Sequence, residues 1–388
     1  MSPALRNLPL LAACQALLLM NGVTLIAVNT LVGLALAPDA SLASLPVTAY
    51  VVGTALTTIP AAFFMRRQGR RAGFMLGAVI GMAGGLASAL AVQAGSFWLL
   101  CLGTMMGGAY NAFGLQYRFA AADAAPADWK SRAISLTLAG GIVGGILGPE
   151  TGKLTRDLLA PPFLASYLTL TAYAFAALLV ASRLDIPPLA AHQQAAGGRP
   201  LREIARQPAF AVAVLAAAAG YGVMNLLMTA TPLAMQVCGH PFADAAFVLE
   251  WHVIGMFAPS FFTGQLIRRF GVGRILLAGA LLLLACVGVT LAGVSVMHFW
   301  AGLLLLGVGW NFLYIGGTTL LTETHRPEER AKVQGGNDFL VFAVQGVTSL
   351  GAGALVTGGG WQVLNLLALP VVLAAAAAIV AHLARGGR

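Results

Sequence analysis

Long apolar runs, recurring at short intervals from one end of the chain to the other, constrain this sequence more than any single motif does. A helix needs about 20 apolar residues to cross the hydrocarbon core of a bilayer. Such runs fall at 8–36, 42–65, 72–94, 96–122, 131–156, 161–182, 208–237, 243–267, 274–295, 297–322, 332–357 and 361–384, so the 388 residues read as twelve spans with short connections. Lipid offers no partner to a free N–H or C=O, and each run must therefore close its own hydrogen bonds as an α-helix. Charged residues make up only 9% of the chain, against about a quarter in a soluble domain, which excludes a water-soluble enzyme and a disordered segment alike. Cys14, Cys101, Cys238 and Cys286 lie far apart without zinc-type spacing, so neither a disulfide framework nor a structural metal site is expected.

The long polar break at 183–207, RLDIPPLAAHQQAAGGRPLREIARQ, reads as a cytoplasmic linker between an N-terminal six-helix bundle (1–182) and a C-terminal one (208–388). Lys and Arg gather on the cytoplasmic side of membrane proteins. Arg66, Arg67, Arg70, Arg71, Lys130, Arg132, Arg268, Arg269, Arg326, Arg330 and Lys332 all fall on one face, whereas Lys153 and Arg156 fall on the other. Both termini are thus expected in the cytoplasm, and the formal charge of +9 is an orientation signal with no nucleic acid implied. The halves also repeat at an offset of about 200 residues, as expected of two related bundles. Pro60 with Arg66-Arg67-Gln68-Gly69 recurs as Pro259 with Arg268-Arg269-Phe270-Gly271, Tyr110-Asn111 as Trp310-Asn311, and Pro126 as Pro327.

The basic turn Arg67-Gln68-Gly69-Arg70-Arg71 between spans two and three, echoed between spans eight and nine, resembles the signature loop of the major facilitator superfamily. That resemblance implies a membrane-embedded, all-α fold of two pseudo-symmetric bundles and secondary transport by alternating access. One position departs from the family pattern, because Arg66 and Arg268 stand where the family carries an acid. The segment Gly144 to Gly152, with Gly148 and Pro149, is similar to a flexible element of drug–proton antiporters. Small residues allow close helix approach and proline loosens the backbone. No phosphate-binding GxxxxGK[ST] loop and no nucleophile with its base is present, so neither an ATP-driven pump nor an enzyme is expected.

The feature that points to a cargo lies in spans seven and eight. Met224 and Met228, then His252 and Met256, are each four residues apart and so share a helix face. Thioethers and imidazole suit Cu(I) better than hard cations. Spacing alone fits methionines filling gaps and a histidine bonding a carbonyl better than a metal site. The two motifs, within Trp251–Ser260 for the second, resemble those of the CcoA-type copper importers of the same superfamily. That resemblance implies Met224, Met228, His252 and Met256 as ligands, with Cys238 as an accessory, and delivery of copper to assembly of a cbb3-type cytochrome oxidase. By their position at the end of span seven, Cys238 and His240 would take the ion first at the periplasmic mouth. On this reading copper is cargo and not cofactor, imported metal needs a cytoplasmic copper chaperone as partner, and the chain is expected as a monomer in the inner-membrane bilayer of a bacterium.

A sister group resembling the same template imports riboflavin, for which Tyr110, Asn111, Trp310 and Asn311 would line the cavity. Glu150 and Asp338, acids within apolar runs, are the candidates for proton coupling, including in a drug exporter.

Overall fold

The computed structural model describes residues 3–39, 42, 45–186 and 198–386, and every regular element among them is helical. The first part of the chain forms α1 (Pro3–Leu36), α2 (Leu45–Gln68), α3 (Arg70–Ala94), α4 (Phe97–Gly114), α5 (Tyr117–Ala124), α6 (Lys130–Ala139), α7 (Gly141–Thr155) and α8 (Leu164–Ala181). After the short α9 (Leu201–Ala205) come α10 (Pro208–Val237), α11 (Phe242–Phe257), α12 (Ser260–Phe270), α13 (Val272–Ala292), α14 (Val296–Thr322) and α15 (Arg330–Ala384). Nine helical stretches among the described residues are long and apolar enough to cross a membrane.

The expected fourth, fifth and eighth spans are each divided, the fifth at Gly140 between α6 and α7. α4 gives way to α5 across Leu115 and Gln116, and α11 to α12 across Ala258 and Pro259. Pro259 has no N–H to donate and its ring crowds the preceding turn, which accounts for the break there. The expected eleventh and twelfth spans run together in α15 and part at Gly360, whose φ of 79° is open to glycine at little cost. Large apolar side chains such as Leu56, Leu90, Trp98 and Val347 remain exposed, as helices facing acyl chains require.

The helices group into two compact units. The first comprises residues 1–125, 140–198 and 326–339, and the second 126–139, 199–325 and 340–388. In the first unit α2 and α4 meet backbone to backbone: a Cβ on Gly108 would lie 2.0 Å from the Tyr50 carbonyl oxygen. The Thr54 hydroxyl donates to the Gly108 carbonyl across the same joint, at 3.0 Å. In the second unit α10 and α11 both dock on α14, and far less on each other.

Candidate functional site

The soft-donor residues lie on the helices the sequence assigns them. Met224 is buried and Met228 half-buried on α10, while His252 and Met256 are both buried on α11. His252 Nδ1 is 2.8 Å from the Leu303 carbonyl oxygen of α14. A carbonyl only accepts, so Nδ1 carries the proton and Nε2 the lone pair. Nε2 is buried without a hydrogen-bond partner. One turn on, Asn311 of α14 donates to the Met256 carbonyl at 2.7 Å and to Ser260 Oγ at 2.6 Å, and accepts from Thr263 Oγ1 at 2.7 Å. Asn311 is thus fully engaged in fastening α14 to α11 and α12. Among the described residues no three His, Cys, Asp or Glu side chains converge as metal ligands, so a metal here would lean on methionine sulfur. At the end of α10, Cys238 is exposed and His240 Nε2 is 2.7 Å from the Val294 carbonyl oxygen.

The aromatic residues singled out in the sequence divide between the units. Tyr110 is buried against Gly81 in the first unit, and Asn111 Nδ2 reaches Thr54 Oγ1 at 3.4 Å. Trp310 anchors a ring cluster in the second. It stacks on Tyr314 with centroids 5.0 Å apart and planes 18° from parallel, and meets the edges of Tyr221 at 5.3 Å and Phe257 at 5.8 Å. Tyr221, Tyr314 and Phe257 carry no rare-residue motif, and sequence reasoning passed over them.

Of the two candidate acids, Glu150 is exposed and pairs with Lys153 at 2.6 Å. Asp338 is 1% exposed and paired with Arg118, itself 2% exposed. That pair ends a chain of charge-assisted hydrogen bonds in the first unit. Asp338 accepts from Gln116 at 2.9 Å and Asn337 at 3.1 Å. Arg70 donates to Gln116, Asp123 and Gln334, each at 2.8 Å, and Asp123 accepts again from Arg330 at 2.9 Å. Three guanidiniums and two carboxylates are thereby linked, and the departure at Arg66 does not abolish a charge network at this loop. In the sequence Arg70 and Arg330 read only as charges on the cytoplasmic face; the available signal is the set of polar residues, Gln116, Arg118, Asn337 and Asp338, set into otherwise apolar runs.

Comparison with known proteins gives a consistent answer. The family model described as Major Facilitator Superfamily matches residues 11–344. The riboflavin transporter RfnT of Brucella anthropi is 44% identical over 375 residues, covering 95% of this chain and 94% of that one. The MFS-type transporter YdeG of Bacillus subtilis is 29% identical over 358 residues, covering 85% and 83%. Among solved structures, the human organic anion transporter MFSD10 superposes with a TM-score of 0.79 at 14% identity, covering 98% of this chain and 100% of that one. The Escherichia coli fucose:proton symporter FucP does so with a TM-score of 0.73 at 17% identity, covering 96% and 98%. These two likenesses concern the fold.

Proposed function

Because this chain belongs to the Major Facilitator Superfamily, we propose that it is a riboflavin importer, with twelve spans and cytoplasmic termini, in a bacterial inner membrane. The observation that carries this reading is the 44% identity to RfnT, which runs nearly end to end in both chains. Alternating access is part of this proposal, motivated by the repeat of the halves 1–182 and 208–388, which would expose the substrate to one side at a time. Riboflavin is uncharged, planar and apolar at one end and hydroxylated at the other, so its site needs aromatic faces and neutral hydrogen-bonding groups and no counter-ion. Asp338 with Arg118 is the proton-coupling pair in this reading, since Glu150 is exposed and held by Lys153.

Copper import through Met224, Met228, His252 and Met256 has the softness of those donors, the motif resemblance and the unpartnered His252 Nε2 behind it, and none of the relatives described above is named as a copper transporter. The bonds from His252 to Leu303 and from Asn311 to Met256 describe a joint between α11 and α14 without any metal. Uptake of radiolabelled riboflavin and of ⁶⁴Cu, measured in parallel in proteoliposomes of the pure protein, separates the two. Saturable riboflavin uptake with no copper uptake is expected. Copper uptake that is lost in Met228→Leu and His252→Ala, with no riboflavin uptake, would overturn the proposal.

A further inference from the structure

Resting on the riboflavin reading, we infer that the flat ring of the substrate binds in the second unit. Its site is the aromatic surface of Tyr221, Trp310 and Tyr314, bordered by the carboxamide of Gln345. Three observations meet there. The first is the rings themselves: Tyr221 of α10 stands edge-on to Trp310 at 5.3 Å, to Tyr314 at 5.1 Å, and tilted against Phe342 of α15 at 5.7 Å. Trp310, Tyr314 and Phe342 are buried, whereas Tyr221 is half-buried. Tyr221 is the ring that must turn aside for a flat molecule to lie along the Trp310–Tyr314 stack.

The second observation is an unanswered donor. Trp310 is 2% exposed, and its indole Nε1–H has no hydrogen-bond partner. Buried indole N–H groups usually find one, and leaving such a group unpaired costs free energy. The third is an unanswered acceptor one helical turn away. Asn225 follows Tyr221 by four residues on α10 and Gln345 follows Phe342 by three on α15, so each carboxamide sits beside the aromatic surface on its own helix. Asn225 Nδ2 donates to the Gln345 backbone carbonyl at 3.1 Å and to Thr348 Oγ1 at 3.2 Å, and Gln345 Nε2 reaches Asn225 Oδ1 at 3.4 Å. That arrangement engages both amide groups through their nitrogens and leaves Gln345 Oε1 buried with no partner.

An aromatic surface with one spare donor and one spare acceptor fits a heteroaromatic imide. The isoalloxazine ring offers a broad π face, and its imide edge carries an N3–H donor between two carbonyl acceptors. Gln345 Oε1 takes the N3–H and Trp310 Nε1–H gives to a ring carbonyl, which satisfies both orphans at once. A sugar-like tail lacks the π face, and a metal ion gains nothing from the indole N–H donor.

The test is binding by the purified transporter in lipid nanodiscs, read by quenching of flavin fluorescence, which stacking on tryptophan or tyrosine produces. Lumichrome, the ring without its ribityl chain, is expected to compete, and ribitol is not. On the wild type, 3-methylriboflavin, whose N3 cannot donate, is expected to bind about tenfold more weakly, the worth of one neutral hydrogen bond. This comparison needs no variant and so is immune to misfolding. Gln345→Leu should erase the preference for riboflavin over its 3-methyl form, and Trp310→Phe, which keeps the ring and removes the donor, should weaken riboflavin by about three- to tenfold. Equal binding of the two flavins by wild type, or a preference that survives Gln345→Leu, would overturn the ring site while riboflavin uptake still stands. A wild type that neither binds nor takes up riboflavin overturns the substrate reading itself, and this inference with it.

Discussion

The two units turn the same corner with different chemistry. In the first, α2 passes to α3 through Gly69 at φ 89° and ψ 160°; in the second, α12 passes to α13 through Gly271 at φ 88° and ψ 151°. A short 3₁₀ turn begins at Ala127 after Pro126, and another at Pro327. The backbone joint is therefore encoded twice, by a glycine that accepts positive φ and a proline that starts a turn. Its contents are not. At offsets of 201 or 202 residues, Arg70 corresponds to Val272, Asp123 to Thr324, Arg118 to Thr319 and Asp338 to Thr137. The first unit's residues form the chain of ion pairs; in the second, Thr319 and Thr324 hydrogen-bond back to their own helix, at Ile315 and Leu321. Since the neutral corner folds to the same dihedrals, the charges are not what makes the turn. Buried ion pairs are weak contributors to net stability, so the turn does not need them.

Breaking the charged corner at its centre should have the largest effect. Asp123 is the shared acceptor of Arg70 and Arg330, so Asp123→Ala strands two guanidiniums and should cost about 3–5 kcal/mol. Thr324→Ala, at the matching position of the neutral corner, removes one local hydrogen bond and should cost about 1 kcal/mol or less. Thermal unfolding of both variants in detergent checks the contrast, and equal losses would mean that the two corners are energetically alike.

The Arg118 and Asp338 pair tests whether the cost lies in the pairing or in the residues. Arg118→Leu and Asp338→Leu each leave a buried charge alone and should cost about 3 kcal/mol, while the double variant should recover most of that loss. Its uptake should nevertheless be insensitive to an imposed proton gradient. Recovered stability together with gradient-driven uptake would remove Asp338 from the coupling role.

The helices were legible because lipid enforces a length and a composition on every span, and the repeat was legible because Gly69, Pro126 and Asn111 each have a partner near the same offset. The contents of the corners were not. Arg70 is 3% exposed and the adjacent Arg71 lies at the surface, yet nothing in an Arg-Arg pair says which one turns inward. The Met and His motifs drew notice because those residue types are rare in spans; the partner of His252 is a backbone carbonyl 51 residues away, which no pattern of side chains reveals. Trp310 was visible for the same reason of rarity, whereas Tyr221 and Phe342 come from two other helices and meet it only after folding.

Moving one charge across the comparison should give a smaller effect. Val272 is buried at the place of Arg70, with Thr324 where the acid would stand. Val272→Arg should cost about 2 kcal/mol, as an unpaired cation turned inward. Adding Thr324→Asp should restore part of it, measured by the same unfolding transitions. No recovery would show that the first corner depends on the geometry of its amides, Gln116 and Gln334, as much as on its charges.

The smallest expected effect is a titration. The neutral corner does hold one acid, Glu323, at the C-terminus of α14 where the first unit has Ala122. Desolvation raises its carboxyl above the usual range, and Lys130 partly opposes this. A raised value means that the folded protein binds the proton at a pH where the unfolded chain has released it. Stability from this group is therefore present at low pH and lost as pH rises through the raised value. Glu323→Gln should flatten the unfolding temperature between about pH 4 and 7, where carboxyl groups titrate, and leave it highest relative to wild type at the upper end. An unchanged slope would mean that Lys130 cancels the desolvation completely, making this corner electrostatically silent and the contrast with Arg70 and Asp123 sharper still.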